Sequence, residues 1–447
     1  MIRIQAPASK SISHRMLIAA ALAKGTSLLH HVLDSADLER TRDILQKTGA
    51  VLEDIENGSW NVTGMAGRPL GGTPEHPADC FVGESGTTCR LLTALLAAGH
   101  GSFRIHGAGR MHERPIGTLT DALAALGADL HFEGRRGFPP LLIHTLGLRG
   151  GNVRLSLDES SQYLSGLLLA APFCTEALCV TLAGRKPVSW PYVGLTLQTL
   201  EDFGISFTVE KLEKGAWQSV PWRMLTKVTP GELRITVQPG TYRAGEHHVE
   251  GDWSGASYFL AAGAVGHEPV LVSGLRADSL QGDRALLDLL RAMGASIAVR
   301  EDGILVSPSA LHGIDIDMGD CPDLVPTIAM TAALAEGTTH IRNIAHLHLK
   351  ECDRLSACAA ELARIGVKTE KTADSLTIRG LGPCKPSVPE GTVFRTYGDH
   401  RMAMACSLFG LVPGNIVLLD SPEAVSKSFP GFWKEWNALL ENGHRKG

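Results

Sequence analysis

One phrase recurs along the chain: an amphipathic helical run with Leu at i, i+3 and i+4, then a Gly, then an alternating strand. It reads DILQKTGAVLE, DALAALGADLHFE, TLEDFGISFTVE, LLRAMGASIAV and ELARIGVKTE, stopped by Gly49, Gly127, Gly204, Gly294 and Gly366. A sixth helix, 432–440, is expected to end at Gly443 with no strand after it, and the spacings are 78, 77, 90, 72 and 77 residues. A second phrase interleaves with the first six times: a small-residue helix almost free of charge, a turn and a strand, as in LTALLAAGHGSFRIHG and AMTAALAEGTTHIRNI. A helix that is apolar all round must be buried on every side. The two phrases together predict an α/β fold with sixfold internal duplication, buried helices inside a shell of sheet, and left-handed glycines just past the amphipathic helices. The 90-residue interval predicts an insertion, placed at 217–231.

Composition closes off other classes. With 447 residues and 44% hydrophobic content the chain is long and apolar enough for two or three domains. A net charge of -5 gives no global basic field, and 5% aromatics gives few stacking platforms, so neither nucleic acid nor a membrane surface is an expected partner. Nine cysteines, at 80, 89, 174, 179, 321, 352, 358, 384 and 406, form no Cys-x-x-Cys pair, which points to reduced thiols in the cytoplasm and no metal. The opening residues lack the layout of a signal peptide, so no export is expected. The longest uncharged stretch, 402–419, is broken by Pro413-Gly414-Asn415, against a membrane span.

The remaining charges gather at helix mouths. Lys10 and Arg15 flank the start of the first buried helix, with Ser11 as its expected N-cap, and such an end offers free N–H groups to an anion. Gly86 lies in a strand, glycine turn and helix that has no Lys after its second Gly, so it is no Walker loop and implies no nucleotide cofactor. Gly86 answers a demand for positive φ, for close approach of a ligand, or for both. Arg114 precedes a Pro expected to begin a helix; Ser160, Ser161, Gln162, Ser189 and Tyr192 open two further helices. Lys350 and Arg354, four apart, would share a helix face and repel unless an anion sits there, and Asp353 is available to pair with Arg354. Asp323 and the 399–401 triplet head uncharged helices, and Lys427 follows near the end. Convergence of these mouths would make a cationic cleft for polyanionic small substrates.

These motifs resemble the enolpyruvyltransferase family over essentially the full chain, and within it the 5-enolpyruvylshikimate-3-phosphate synthases. SKSISHR, ESGTTCR, RMHERPIG, SSQYLSG, SWPY, EGDWSGASYFLAA, PDLVPTIA, LKECDRL, YGDHRMAM and SKSFP occur in the family's order. The resemblance implies a two-domain inside-out α/β barrel of six βαβαββ units with buried helices, one domain spanning 10–247 and the other 1–9 with 248–447. It implies transfer of the carboxyvinyl group of phosphoenolpyruvate to the 5-hydroxyl of shikimate 3-phosphate, releasing phosphate, by addition and elimination, with no cofactor or metal and a monomeric protein. Carried over by motif, Lys10, Ser11, Arg15, Ser160, Ser161, Gln162, Ser189, Tyr192, Asp323 and Lys350 would hold shikimate 3-phosphate. Lys10, Gly86, Arg114, Gln162, Arg354, Arg401 and Lys427 would hold phosphoenolpyruvate. Asp323, Glu351 and Lys10 would be catalytic, Asp323 taking the hydroxyl proton and Glu351 serving as acid and base at C3. Two positions depart from the family's best-known form, which has Asn where this chain has Glu84 and His346, and both are left out of the site. The runner-up, UDP-N-acetylglucosamine enolpyruvyltransferase, carries a reactive Cys where this chain has Gly109, and it lacks the pair seen at His400 and Arg401.

Overall fold

The computed structural model describes residues 1–56, 58–225, 228–382 and 386–444, with 442–444 by backbone only, so Cys384 and residues 226–227 of the expected insertion lie outside the described residues. The chain divides into two compact units, 10–249 and 1–9 with 250–447. Strand Glu246–His248 belongs with the first of these because it pairs in parallel with Thr26–His30, and Val249 donates its N–H to the His30 carbonyl. Residues 1–9 belong with the later unit because strand Ile2–Gln5 pairs in parallel with Val270–Ser273.

The unit 10–249 contains helices α1 (Lys10–Leu22), α2 (Ala36–Lys47), α3 (Gly86–Ala97), α4 (Gly117–Ala125), α5 (Gln162–Ala170) and α6 (Pro191–Asp202). The other contains α7 (Trp253–Val265), α8 (Leu286–Ala292), α9 (Val325–Ala333), α10 (Arg354–Arg364), α11 (His400–Cys406) and α12 (Phe432–His444). Odd-numbered helices carry the small-residue phrase. Every residue of α7, α9 and α11 is buried, and α1, α3 and α5 expose no more than residues of their first turn. Even-numbered helices bury one stripe, such as Leu38, Thr41, Ile44 and Leu45 of α2. The 402–419 stretch is a helix, a 3-10 turn and a two-residue strand, and among the described residues no helix is long and apolar enough to cross a membrane.

Residues 78–145 show the local order. Strand Ala78–Phe81 leads into α3, strand Gly101–His106 into α4, and a hairpin Asp129–Phe132 and Leu141–Thr145 follows. The first two strands pair in parallel, the hairpin adds antiparallel partners, and the sheet is four-stranded. Three more four-stranded sheets share this pattern, the 151–237 sheet gains a fifth strand from Ala216–Ser219, and the last sheet has two short strands. Among the described residues each sheet is open and none closes into a barrel. The fold is therefore mixed α/β in two units.

Five of the six expected helix stops have positive φ: Gly49 at 125°, Gly127 at 103°, Gly204 at 76°, Gly294 at 99° and Gly366 at 77°. The sixth differs, since α12 runs through Gly443 to His444. Two other expected starts shift. Ser11 is not an N-cap, because α1 already begins at Lys10. Pro115 does not begin α4, which starts at Gly117; its carbonyl instead accepts from Arg90 and Tyr163.

Glycine also sets how closely sheet and buried helix approach. A Cβ on Gly380 would collide with the carbonyl oxygens of Ala332 and Ala335 at the end of α9, backbone atoms that cannot step aside. A Cβ on Gly366 would meet open space, so its demand is φ alone. Gly366→Ala should therefore cost on the order of 1 kcal/mol, and Gly380→Ala on the order of 3 kcal/mol. Thermal or urea denaturation reads both, and equal losses would contradict this separation of strain from space.

Candidate active site

In the unit 10–249 the expected residues lie at or within the first two turns of α1, α3, α5 and α6, except Arg114, which follows a 3-10 turn ahead of α4. Arg15 is buried and makes four hydrogen bonds: Nε to Thr196 Oγ1 at 2.8 Å, Nη1 to the Ser11 carbonyl at 2.8 Å, and Nη2 to Ser165 Oγ at 3.2 Å and the Tyr192 carbonyl at 2.9 Å. Every one of these acceptors is neutral, and burial pulls the guanidinium down to about 10, still charged at neutral pH. Lys10 Nζ stands 3.2 Å from Asp37 Oδ2 on α2. A hydrogen-bond relay from His14 through the hydroxyls of Thr41 and Thr88 to Ser85 links α1 and α2 to the head of α3. His14 itself is pushed down to about 3 by burial, so its imidazole is neutral.

A second cluster surrounds the head of α3. Gln162 accepts from Arg90 Nη1 at 2.9 Å and donates to Thr87 Oγ1 at 2.9 Å, joining α5 to α3. Arg114 Nη1 donates to the Glu84 carbonyl at 3.1 Å. Gly86 has no positive φ; what demands glycine is the Arg114 guanidinium, whose Cζ would lie 2.6 Å from an added Cβ. Glu84 is exposed, and its carboxylate lies where a Cβ on Gly109 would stand. Ser160 Oγ accepts from the Gln162 N–H at 3.2 Å, Ser161 precedes α5, and Ser189 sits just before α6 with φ of 55°, a left-handed backbone that Ser rarely adopts.

The unit 1–9 with 250–447 brings Asp323, Lys350, Glu351, Arg354, Arg401 and Lys427 into one cluster. Arg354, 1% exposed, is its hub: Nε reaches Asp399 Oδ2 at 2.8 Å, Nη1 Asp323 Oδ1 at 2.8 Å, and Nη2 Glu351 Oε2 at 2.6 Å. Arg401 Nη2 donates to Asp323 Oδ2 at 2.8 Å, Lys350 Nζ is 3.6 Å from Asp323, and Lys427 Nζ is 3.8 Å from Glu351. Burial alone would raise the Asp323 carboxyl, but Arg401, Lys350 and Arg354 hold it well below the ordinary range, so it stays ionised. The expected helix face shared by Lys350 and Arg354 is absent, because α10 begins at Arg354. Asp353 is its N-cap, accepting from the Ser356 N–H at 3.0 Å, and does not serve as Arg354's partner.

With this geometry in place, the whole chain compares directly with known proteins. The family model for EPSP synthase (3-phosphoshikimate 1-carboxyvinyltransferase) matches residues 2–436. The chain belongs to the EPSP synthase family. The 3-phosphoshikimate 1-carboxyvinyltransferase of Nitrosomonas europaea is 39% identical over 441 residues, 98% of this chain and 95% of that protein. Its namesake in Thiobacillus denitrificans is 40% identical over 442 residues, 98% and 96% of the two chains. The solved EPSP synthase of Acinetobacter baumannii has a TM-score of 0.76 at 26% identity, over 98% of this chain and 95% of its own. The enolpyruvyl transferase NikO of Streptomyces tendae, at 18% identity, 98% and 94% coverage and a TM-score of 0.70, shares the fold.

Within this EPSP synthase chain, sequence reasoning passed over two carboxylates that the fold adds to the cluster. Asp399 was read as a helix head, and it also binds Arg354 through both of its carboxylate oxygens. Asp283, 2% exposed, accepts from Ser254 Oγ through Oδ2, while its Oδ1 has no hydrogen-bond partner. Burial, then the negative charge of Asp323, push the Asp283 carboxyl up to about 7, against Arg401 and the Ser254 hydroxyl, which favour the carboxylate. The only sequence signal was an acidic residue beside a Gly in a Leu-rich stretch. A raised acid holds a proton in the folded state that the unfolded chain releases near 3.8, so its stabilising contribution is complete below that value and is lost as pH rises through about 7. Relative to Asp283→Asn, the wild-type melting temperature should fall between about pH 4 and about pH 7 and level off above. A difference that stays constant across that window would eliminate Asp283 as the titrating group.

Proposed function

We propose that this chain transfers the carboxyvinyl group of phosphoenolpyruvate to the 5-hydroxyl of shikimate 3-phosphate, releasing phosphate, with Asp323 and Glu351 as its proton-transfer groups. The observation that carries this is the buried Arg354 hub, which holds an ionised Asp323 and a second carboxylate, Glu351, among Lys350, Arg401 and Lys427. Asp323 takes the proton of the attacking hydroxyl as its oxygen bonds to C2 of phosphoenolpyruvate, and Glu351 delivers a proton to C3. Phosphate then leaves C2, and Glu351 recovers a proton from C3. The cations answer the phosphate and carboxylate charges. The finer fold, an inside-out arrangement of six βαβαββ units in two enolpyruvyltransferase domains, is supported by the strand and helix order of 78–145 and its recurrence.

Lys10, Ser11, Arg15, Ser160, Ser161, Gln162, Ser189 and Tyr192 hold shikimate 3-phosphate in this reading, together with Asp323 and Lys350. The buried Arg15, with neutral acceptors alone, is the strongest support for a bound anion. Lys10, Gly86, Gln162, Arg114, Arg354, Arg401 and Lys427 hold phosphoenolpyruvate, Lys10 also assisting catalysis. Arg354 is saturated by three carboxylates, so its part is to fix their positions as much as to touch the substrate.

Phosphate release from phosphoenolpyruvate, assayed separately with shikimate 3-phosphate and with UDP-N-acetylglucosamine, tests the reaction; release with the second sugar alone would overturn it. Asp323→Asn and Glu351→Gln should each lower turnover by about two to four orders of magnitude with shikimate 3-phosphate binding largely intact. Near-wild-type turnover in either variant would remove that residue from the chemistry. Gly86→Ala displaces the Arg114 guanidinium, so it should raise the KM for phosphoenolpyruvate about tenfold or more and leave shikimate 3-phosphate affinity unchanged. An unaltered KM would mean that Arg114 does not bind phosphoenolpyruvate.

A further inference from the structure

Outside the site, two His-His-Val segments, 30–32 and 247–249, lie on neighbouring strands. In the parallel pairing of Glu246–His248 with Thr26–His30, His248 is the register partner of His30, and Glu246 stands two residues earlier on the same face. The rings of His30 and His248 stack with centroids 4.3 Å apart and 15° between planes. His30 Nε2 lies 2.9 Å, and His248 Nε2 3.9 Å, from the same oxygen, Glu246 Oε1. All three donor atoms fall within 4.8 Å of one another, and among the described residues no other trio of His, Cys, Asp or Glu converges in this way.

We infer that His30, Glu246 and His248 form a binding site for one divalent transition-metal ion of the zinc class. Two imidazole nitrogens and one carboxylate oxygen suit Zn2+, Co2+, Ni2+ or Cu2+, and are a poor set for Mg2+ or Ca2+, which take oxygen ligands. Three protein ligands leave a position for water. The ion would take the place of the His30–Glu246 hydrogen bond, and small side-chain rotations bring the three donors to ~2 Å from it. His30 Nδ1 is 3.3 Å from Ser59 Oγ on the adjoining strand, a contact that leaves Nε2 for the ion. The backbone under the site is already fixed by strand pairing, so little ordering is left for binding to supply. Glu246–His248 is an edge strand of three residues, paired on one side only. An ion across it would fasten that edge to its neighbour, a stabilising role separate from the enolpyruvyl chemistry.

The test uses the untagged full-length protein stripped with a chelator, titrated with Zn2+ by calorimetry and with Co2+ by visible absorption. One equivalent should bind with micromolar affinity, Co2+ should give the intense bands of a low-coordinate imidazole site, and the melting temperature should rise with Zn2+ concentration. Glu246→Gln should weaken binding about tenfold, and His30→Ala with His248→Ala should abolish it; both variants should fold, since His248 and Glu246 are exposed. No saturable binding by the wild-type chain below about 100 µM Zn2+ would overturn the assignment. Unchanged binding by the doubly substituted protein would overturn it too, by placing the ion elsewhere, and phosphate-release activity in that variant should match wild type.

Discussion

A helix with no polar face has one stable place, the interior, and that constraint organises everything else in this protein. In α7, α9 and α11 every side chain is buried, so no flank is left on which to mount a functional group. Polar chemistry is confined to the ends. The N-terminal end is the better of the two for an anion, because its first N–H groups lack partners within the helix and the dipole is positive there. Gly86 opens α3, Gln162 opens α5, Asp323 lies just before α9, and Asp399 caps α11. The recurrence of one buried helix type thus also repeats one kind of polar end within each unit.

The two units handle their buried charges in opposite ways. Arg15 is held by hydroxyls and carbonyls, which orient a guanidinium without neutralising it, and burial leaves it less strongly basic than in water. Such an arrangement is stabilised most by an incoming anion. Arg354 already contacts three carboxylates, with Asp323 and Glu351 fixed on different nitrogens of the same fork. A planar guanidinium is well suited to this task, because its N–H directions are rigid and two acids placed on it cannot drift relative to each other. Removing either carboxylate from such a hub leaves the remaining charges less well balanced, so changes there disturb both position and protonation.

What the sequence makes legible follows from how local each determinant is. The five stop glycines are readable because a positive φ after an amphipathic run depends on a few adjacent residues, and the buried helices because their composition leaves no alternative. Helix starts are less local: Ser11 and Pro115 have the right chemistry for a helix head, yet α1 begins one residue before Ser11 and α4 two residues after Pro115, as surrounding contacts decide. The Lys350 to Arg354 spacing suggested a shared helix face, and the cap at Asp353 cancels it. The Arg354–Asp399 pair joins residues 45 apart in sequence, and Asp283 acquires its environment from Ser254, Asp323 and Arg401 on three other segments. No spacing rule reaches those pairings. The family's motifs named the candidate residues across that gap, and left Asp283 and the Arg354–Asp399 pairing unread.

Glu84 shows how a departure from a family's usual residue is absorbed by its surroundings. A carboxylate at this turn stands near Arg114 and the head of α3, where added negative charge opposes anion binding. In this chain its side chain is exposed and lies against Gly109, in space that any other residue at 109 would fill. Gly109 also has φ of 52°, a conformation glycine takes without steric cost. The glycine therefore does two things at once: it lets the loop turn, and it leaves room for the Glu84 carboxylate. Arg114 Nη1, meanwhile, donates to the Glu84 carbonyl. Backbone oxygen is present whatever side chain occupies position 84, so the arginine keeps its anchor while the side chain varies.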